Sequence, residues 1–302
     1  MTYDDVFVSP AWLHERLNRP DILPIDGSWY LPTMEKNGEP RDARAEFDTA
    51  HIPGAVFFDL DESSSKTSPL PHMMPDPIRF SSRMRKLGVG DGMTFVVYDG
   101  FGLFSAPRVW WMLKVMGARS VFLLDGGLPA WEKAGYLLSD QPVRRSERHF
   151  TARLDQSAIA DVDDVRKAIE QKTVTAKGTT TILDARSAGR FSGEESEPRE
   201  GMASGHMPGA RSVPFLELTE DGKMKSAEAL KALFSDKSID LDAPIITSCG
   251  SGVTAVILSI ALHLSGARDV RVYDGSWAQW GSLGDVPVET GPDVGLATEK
   301  TR

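Results

Sequence analysis

Short runs of aliphatic and aromatic residues alternate along the chain with segments of helical period. In the first half, ILPID (22–26), TFVVYD (94–99) and VFLLD (121–125) have the length and composition of buried strands. FSSRMRKL (80–87) and APRVWWMLKVM (106–116) instead repeat their apolar positions at helical spacing. Ser9 followed by Pro10 marks a helix start. The second half repeats the alternation. VDDVRKAIE (162–170), AEALKALFS (227–235) and VTAVILSIALHL (253–264) read as helices, and TTTILD (179–184), PIITS (244–248) and VRVYD (270–274) as strands. Strands and helices of this length taking turns predict an α/β fold, a mainly parallel sheet with helices on both faces. Loops at the carboxyl ends of such strands are where ligands usually bind.

The chain also repeats itself. HIPGA (51–55) recurs as HMPGA (206–210), and GARSVFLLDGGLPAW (117–131) aligns without a gap on GARDVRVYDGSWAQW (266–280). Each H-x-P-G-A turn follows a strand-like run ending in Asp, ILPID or TILD. A repeat of this length implies two copies of one fold. The expected division is a domain over 1–143, a polar linker over 144–156 and a second domain over 157–302.

One copy then serves as a control for the other. His51 and His206 occupy matching positions, as do Asp125 and Asp274, so these residues read as turn-forming parts of the fold. The loop after the central strand differs. The first half has YDGFGLFSAPR (98–108) and the second SCGSGVTAV (248–256), with Asp99 standing where Cys249 stands. Thiol chemistry therefore belongs to the second copy alone, and the first reads as non-catalytic. Cys249 opens a loop containing Gly250 and Gly252 immediately before a long apolar helix. Successive amides of such a loop can turn inward as an anion nest, and the helix N-terminus adds partial positive charge. Both favour an anionic sulfur.

Composition narrows the function classes. The chain has 302 residues, 41% of them hydrophobic and 25% charged, enough for two domains with their own cores. A formal charge of −9 argues against nucleic acid or an anionic membrane as a general partner. The opening residues, MTYDDVFVSPAWLHERL, carry no basic stretch followed by an apolar one, and no run approaches the ~20 apolar residues that span a bilayer. With a single cysteine no internal disulfide can form, which points to a reducing, cytoplasmic setting. One cysteine and six scattered histidines offer no metal-ligand spacing.

Two other chemistries compete for the Cys249 loop. A cysteine phosphatase needs an arginine six residues after the nucleophile, and this chain has Ala255 there. Gly250, Gly252 and Ala255 match a dinucleotide fingerprint, with Asp274 closing the next strand. Too little chain follows them, however, for a further βαβ unit and a substrate domain. GVGDG (88–92) lies between a helix and a strand and reads as a turn. A non-catalytic binding module remains open for the first half.

CGSGVT (249–254), the paired H-x-P-G-A turns, TSPLPHMMP (67–75) and SAPRVWWML (105–113) resemble the tandem rhodanese family of sulfurtransferases over nearly the whole chain. The resemblance implies two rhodanese-like domains and a persulfide on Cys249, with no organic cofactor. It implies sulfur taken from 3-mercaptopyruvate, release of pyruvate, and transfer to a thiol such as thioredoxin or to cyanide. Family members that use thiosulfate carry Arg-Lys after the cysteine, where this chain has Gly250 and Ser251. By the same resemblance Ser251, His72 and Asp61 form a proton relay between the domains, and Arg190 and Arg199 bind the donor with the loop residues Gly250, Gly252, Val253 and Thr254. Arg186 is a neighbouring candidate. A guanidinium fork suits the carboxylate of a 2-oxo acid. His72 and Asp61 fall in a stretch where the first copy is longer than the second, as functional loops often are.

Overall fold

The alternating runs pair as two five-stranded sheets in a computed structural model that describes residues 1–172 and 179–293. In the first sheet the spatial order is Phe7–Val8, Ser120–Leu124, Thr94–Tyr98, Ile22–Asp26 and Val56–Phe57. In the second it is Ile159–Ala160, Val270–Tyr273, Ile245–Ser248, Thr181–Asp184 and Arg211–Ser212. Numbered along the chain, both sheets run first, fifth, fourth, second, third, and every pairing in them is parallel. The register also repeats: Asp26 lies opposite Tyr98 as Asp184 lies opposite Ser248. The expected α/β class and the duplication are both present.

The fold forms two compact units. The first comprises Met1–Ala158 and Thr219–Met224, and the second Ile159–Leu218 with the residues from Lys225 onward. Residues 144–156, expected as a linker, instead lie along the first unit. Asp91 N–H donates to His149 O at 2.8 Å, and the amides of Arg153 and Asp155 donate to Met116 O and Val115 O. Phe150 is buried beside Phe80, and Gly88, Gly90 and Gly117 leave room for the Arg145, Arg148 and Arg153 side chains to pass over them. Polar composition concealed this because backbone hydrogen bonds and one aromatic anchor hold the segment.

Element ends follow local chemistry. Ser9 caps the helix Pro10–His14, its Oγ accepting Trp12 N–H. The helix expected at 80–87 begins earlier, at Pro77, because Asp76 caps it through Arg79 N–H. The helix expected from Val253 begins at Ala255, since Val253 and Thr254 are spent in the preceding loop. It is buried on nearly every side, which its apolar composition demands. The two H-x-P-G turns do the same work in each unit. His51 and His206 stack on Phe47 and Phe191, and each pairs through its backbone with a distant residue, Ser139 or Glu289. Nδ1 of each ring lies 2.7–2.8 Å from the carbonyl of the stacked phenylalanine. These histidines are structural. Among the described residues no helix is long and apolar enough to cross a membrane.

Candidate active site

Cys249 follows directly on the central strand of the second unit and is 2% exposed. Two loop carbonyls are tied back to the helix Ser276–Trp280: Trp277 N–H donates to Cys249 O at 3.0 Å and Ala278 N–H to Gly250 O at 2.8 Å. Gly252, with φ 75°, provides the left-handed turn that leads into the helix from Ala255. With its carbonyls engaged on one side, the loop has amides left to offer an anion. Those of Val253 and Thr254 meet no acceptor among the described residues. The helix N-terminus behind them adds partial positive charge.

Arg190 reaches this loop from the short helix Ala188–Ser192, whose start is capped by Ser187. Its Nη2 sits so close over Gly250 that a Cβ at that position would come within 2.9 Å of it. Gly250 is not in the left-handed region, so its smallness gives clearance to the guanidinium. Glu197 fixes the arginine, accepting from Nε at 3.2 Å and from Nη2 at 2.5 Å. The same carboxylate accepts from Arg186 Nη1 at 2.6 Å. Arg186 is fully buried, bonded also to Asp184 and to Gly205 O, and stacked on the Trp277 ring. Burial is the largest influence on its pKa and opposes the charge, but Asp184 and Glu197 outweigh it and hold the pKa above its ordinary value. Arg186 is therefore committed to the fold. Arg199 lies partly exposed two residues beyond Glu197.

The first unit brings His72 and Asp61 together, with Nε2 and Oδ1 3.2 Å apart. Asp61 lies on the short helix Leu60–Ser63 and also accepts from Trp29 Nε1 at 3.3 Å. The hydrogen bond from His72 lowers the Asp61 pKa most, and burial opposes it. The His72 side chain is 1% exposed and that of Asp61 62%, so the pair runs from interior to solvent. The Trp29 ring meets the imidazole edge-on at 4.5 Å. His72 has φ 60°, a backbone state uncommon outside glycine, and Arg108 Nη2 donates to its carbonyl at 2.6 Å. Sequence reasoning missed Glu197, Trp29 and Arg108. Glu197 sits inside the acidic run GEESEPRE, where nothing distinguishes it from its exposed neighbours.

At the equivalent loop of the first unit, Asp99 is 0% exposed and folds its carboxylate back onto its own loop. Oδ1 accepts the amides of Phe101 and Gly102 at 3.0 and 2.8 Å. Oδ2 accepts those of Phe104, Ser105 and Ala106 at 2.8–2.9 Å. The loop is an anion nest, and here the chain fills it itself.

Two rhodanese-like domains match this sequence, over residues 9–134 and 161–283. The chain belongs to the rhodanese-like family. Within it, the chain is 43% identical over 283 residues to the 3-mercaptopyruvate sulfurtransferase of Escherichia coli K12, covering 94% of this chain and 97% of that one. It is 40% identical over 281 residues to a thiosulfate sulfurtransferase of Cricetulus griseus, covering 90% and 91%. The crystal structure of the E. coli rhodanese-fold protein SseA, described as a 3-mercaptopyruvate sulfotransferase, superposes with a TM-score of 0.81 at 41% identity. That match covers 92% of this chain and 99% of SseA. Rhodanese-like relatives with different donors are thus nearly equally similar overall, and donor choice has to be argued from the loop.

Proposed function

We propose that this rhodanese-like chain is a sulfurtransferase that takes sulfur from 3-mercaptopyruvate onto Cys249, releases pyruvate, and passes the sulfur to a small or protein thiol such as thioredoxin, or to cyanide. The observation that carries this reading is the Cys249–Thr254 loop. It offers amides and no cationic side chain, and a single arginine, Arg190, is fixed over Gly250. A doubly anionic thiosulfate would gain from cations inside the loop. A mercapto-acid needs its carboxylate held beside it, and Arg190 with Arg199 supplies that. The lone thiol supports a reducing, cytoplasmic setting.

In the first half-reaction the Cys249 thiolate attacks the donor sulfur and a sulfur–sulfur bond forms. The carbon–sulfur bond breaks, and its electron pair goes to carbon as the enolate of pyruvate. Arg190 and the loop amides stabilise that charge as it develops. A proton must then reach the carbon, and we assign its delivery to Ser251 with the His72–Asp61 pair. Asp61 is held ionised and orients the imidazole, as a relay acid should. In the second half-reaction an acceptor thiolate attacks the outer sulfur, the sulfur–sulfur bond breaks, and Cys249 is restored as thiolate.

The test is a donor comparison. Given 3-mercaptopyruvate, the protein should gain one sulfur on Cys249 and release pyruvate in equal amount, and it should use thiosulfate at least about tenfold less efficiently. Preference for thiosulfate would replace this reading by the thiosulfate one. His72→Ala should lower kcat by about tenfold or more while leaving the melting temperature near that of the unaltered protein. Full turnover in that variant would return His72 to the fold.

A further inference from the structure

The two repeats differ at one position where backbone geometry makes the difference costly. In the gapless pairing of 117–131 with 266–280, Gly127 falls on Ser276. Both residues are left-handed, with φ 57° and 48°. Glycine adopts that state freely, whereas a serine must bring its Cβ against the following carbonyl. Of the five described non-glycine residues at positive φ, Asn37, Asp221 and Ser238 are exposed. The other two, His72 and Ser276, are buried, Ser276 completely. Asparagine and aspartate enter left-handed backbone at modest cost, because their short polar side chains can hydrogen-bond locally. A buried serine held there needs a compensating contact.

The Ser276 hydroxyl supplies one. Its Oγ donates to Tyr273 O at 2.8 Å and accepts Cys249 N–H at 3.2 Å. A hydroxyl has one proton, and here it is spent on Tyr273, so toward Cys249 the group is an acceptor only. The next residue, Trp277, donates its amide to Cys249 O. The cysteine backbone is thus held on both sides, its N–H by a side chain and its carbonyl by a main-chain amide. The first repeat keeps only the second half of this arrangement, with Leu128 N–H donating to Asp99 O at 3.0 Å. A Cβ on Gly127 would come within 2.6 Å of Asp99 O and 2.8 Å of Gly102 O, so no side chain fits there. The first loop is fixed from within by the Asp99 carboxylate. The second carries a reacting side chain in that place and has to be fixed from outside.

We propose that Ser276 is a positioning residue for Cys249. Its hydroxyl anchors the cysteine amide so that the sulfur faces donor and loop amides in the orientation for attack, and the left-handed backbone is tolerated for that contact. The inference rests on the reading of Cys249 as sulfur carrier.

Two substitutions test it. Ser276→Gly restores the residue of the first repeat, relieving the backbone while removing the acceptor. Its melting temperature should equal or exceed that of the unaltered protein. Alkylation of Cys249 by iodoacetamide should nevertheless slow about tenfold, and kcat with 3-mercaptopyruvate should fall about tenfold with KM within about twofold. Ser276→Ala keeps the strained backbone and loses the acceptor, so it should show the same kinetic loss with a lower melting temperature. Unchanged alkylation and turnover in Ser276→Gly would overturn the inference. So would a glycine variant that loses stability together with activity, because Ser276 would then be serving the fold. Alkylation needs no sulfur donor. If the unaltered protein gains no sulfur from 3-mercaptopyruvate, the proposed function falls while the alkylation comparison still decides the role of Ser276.

Discussion

At the end of each central strand the chain makes a Gly-x-Gly loop into a helix, and the two loops differ in the residue that opens them. Asp99 turns its carboxylate onto five amides of its own loop and closes the nest. Cys249 has no oxygen to offer, and the Val253 and Thr254 amides of its loop meet no acceptor among the described residues. One backbone form is therefore a self-satisfied turn in one unit and, in the other, leaves the Val253 and Thr254 amides open, as the proposed function needs. The surroundings differ in the same sense. Asp184 at the second strand's end is paired with Arg186, whereas the matching Asp26 has Ser28 two residues on and no arginine. Burial chiefly, with the Asp99 charge adding to it, raises the Asp26 pKa to about 7 against opposing hydrogen bonds from Ser28 and Tyr98.

The strongest way to break the comparison is at the loop's first residue. Cys249→Ser should retain the fold and lose sulfur transfer by about a thousandfold or more, read as pyruvate release and as absence of the added sulfur by mass spectrometry. Retained turnover would mean that the two loops do not differ in the way described. Asp99→Ala should leave the chemistry of Cys249 in place but strand five amides, four of them buried. A loss of about 3–5 kcal/mol in first-unit stability is expected, measured by urea denaturation. Added phosphate should recover part of it by occupying the vacated nest.

A smaller effect concerns Asp26. Its folded pKa lies above the unfolded one, so its contribution to stability is fully present below about pH 4 and is lost as pH rises through about 7. Asp26→Asn should match the unaltered protein near pH 4 and exceed it in stability above pH 7, by thermal melts across that range. Equal curves at all pH values would show that the buried carboxyl is already compensated. The smallest effect separates the two arginines that flank the loops. Arg190 sits over Gly250 bonded to Glu197, and Arg41 bonds Glu46, with Nη2 also donating to Gly100 O. Arg190→Lys keeps the charge and loses the fork, so KM for 3-mercaptopyruvate should rise about tenfold. Arg41→Lys should leave KM unchanged.

Much of this was legible in the residues themselves. Strands such as ILPID and PIITS announced themselves by length and branching, and the duplicated turns fixed the two-copy plan before any pairing was known. Cys249 stood out because the other repeat has Asp99 in its place. Edge strands of two residues, such as Val56–Phe57 and Arg211–Ser212, were invisible because they are too short to show a period. Glu197 was hidden for a different reason: a carboxylate among carboxylates becomes distinct only when two guanidinium groups converge on it. The Gly127–Ser276 exchange was on view in the aligned segments, but its meaning depends on a dihedral angle.

The seating of residues 144–153 makes that segment a reporter of the first unit's opening. It carries Arg144, Arg145, Arg148 and Arg153, all trypsin sites by residue type, on a backbone hydrogen-bonded to the unit at His149 O and Arg153 N. A protease needs an extended, unpaired stretch, so cutting there has to wait for the segment to lift away. Gly88 and Gly90 set how tightly it lies, because a Cβ on either would strike the Arg145 or Arg148 Cβ at 2.7 or 2.5 Å. A methyl group at Gly90 would act as a wedge beneath the segment and raise the cleavage rate at Arg148.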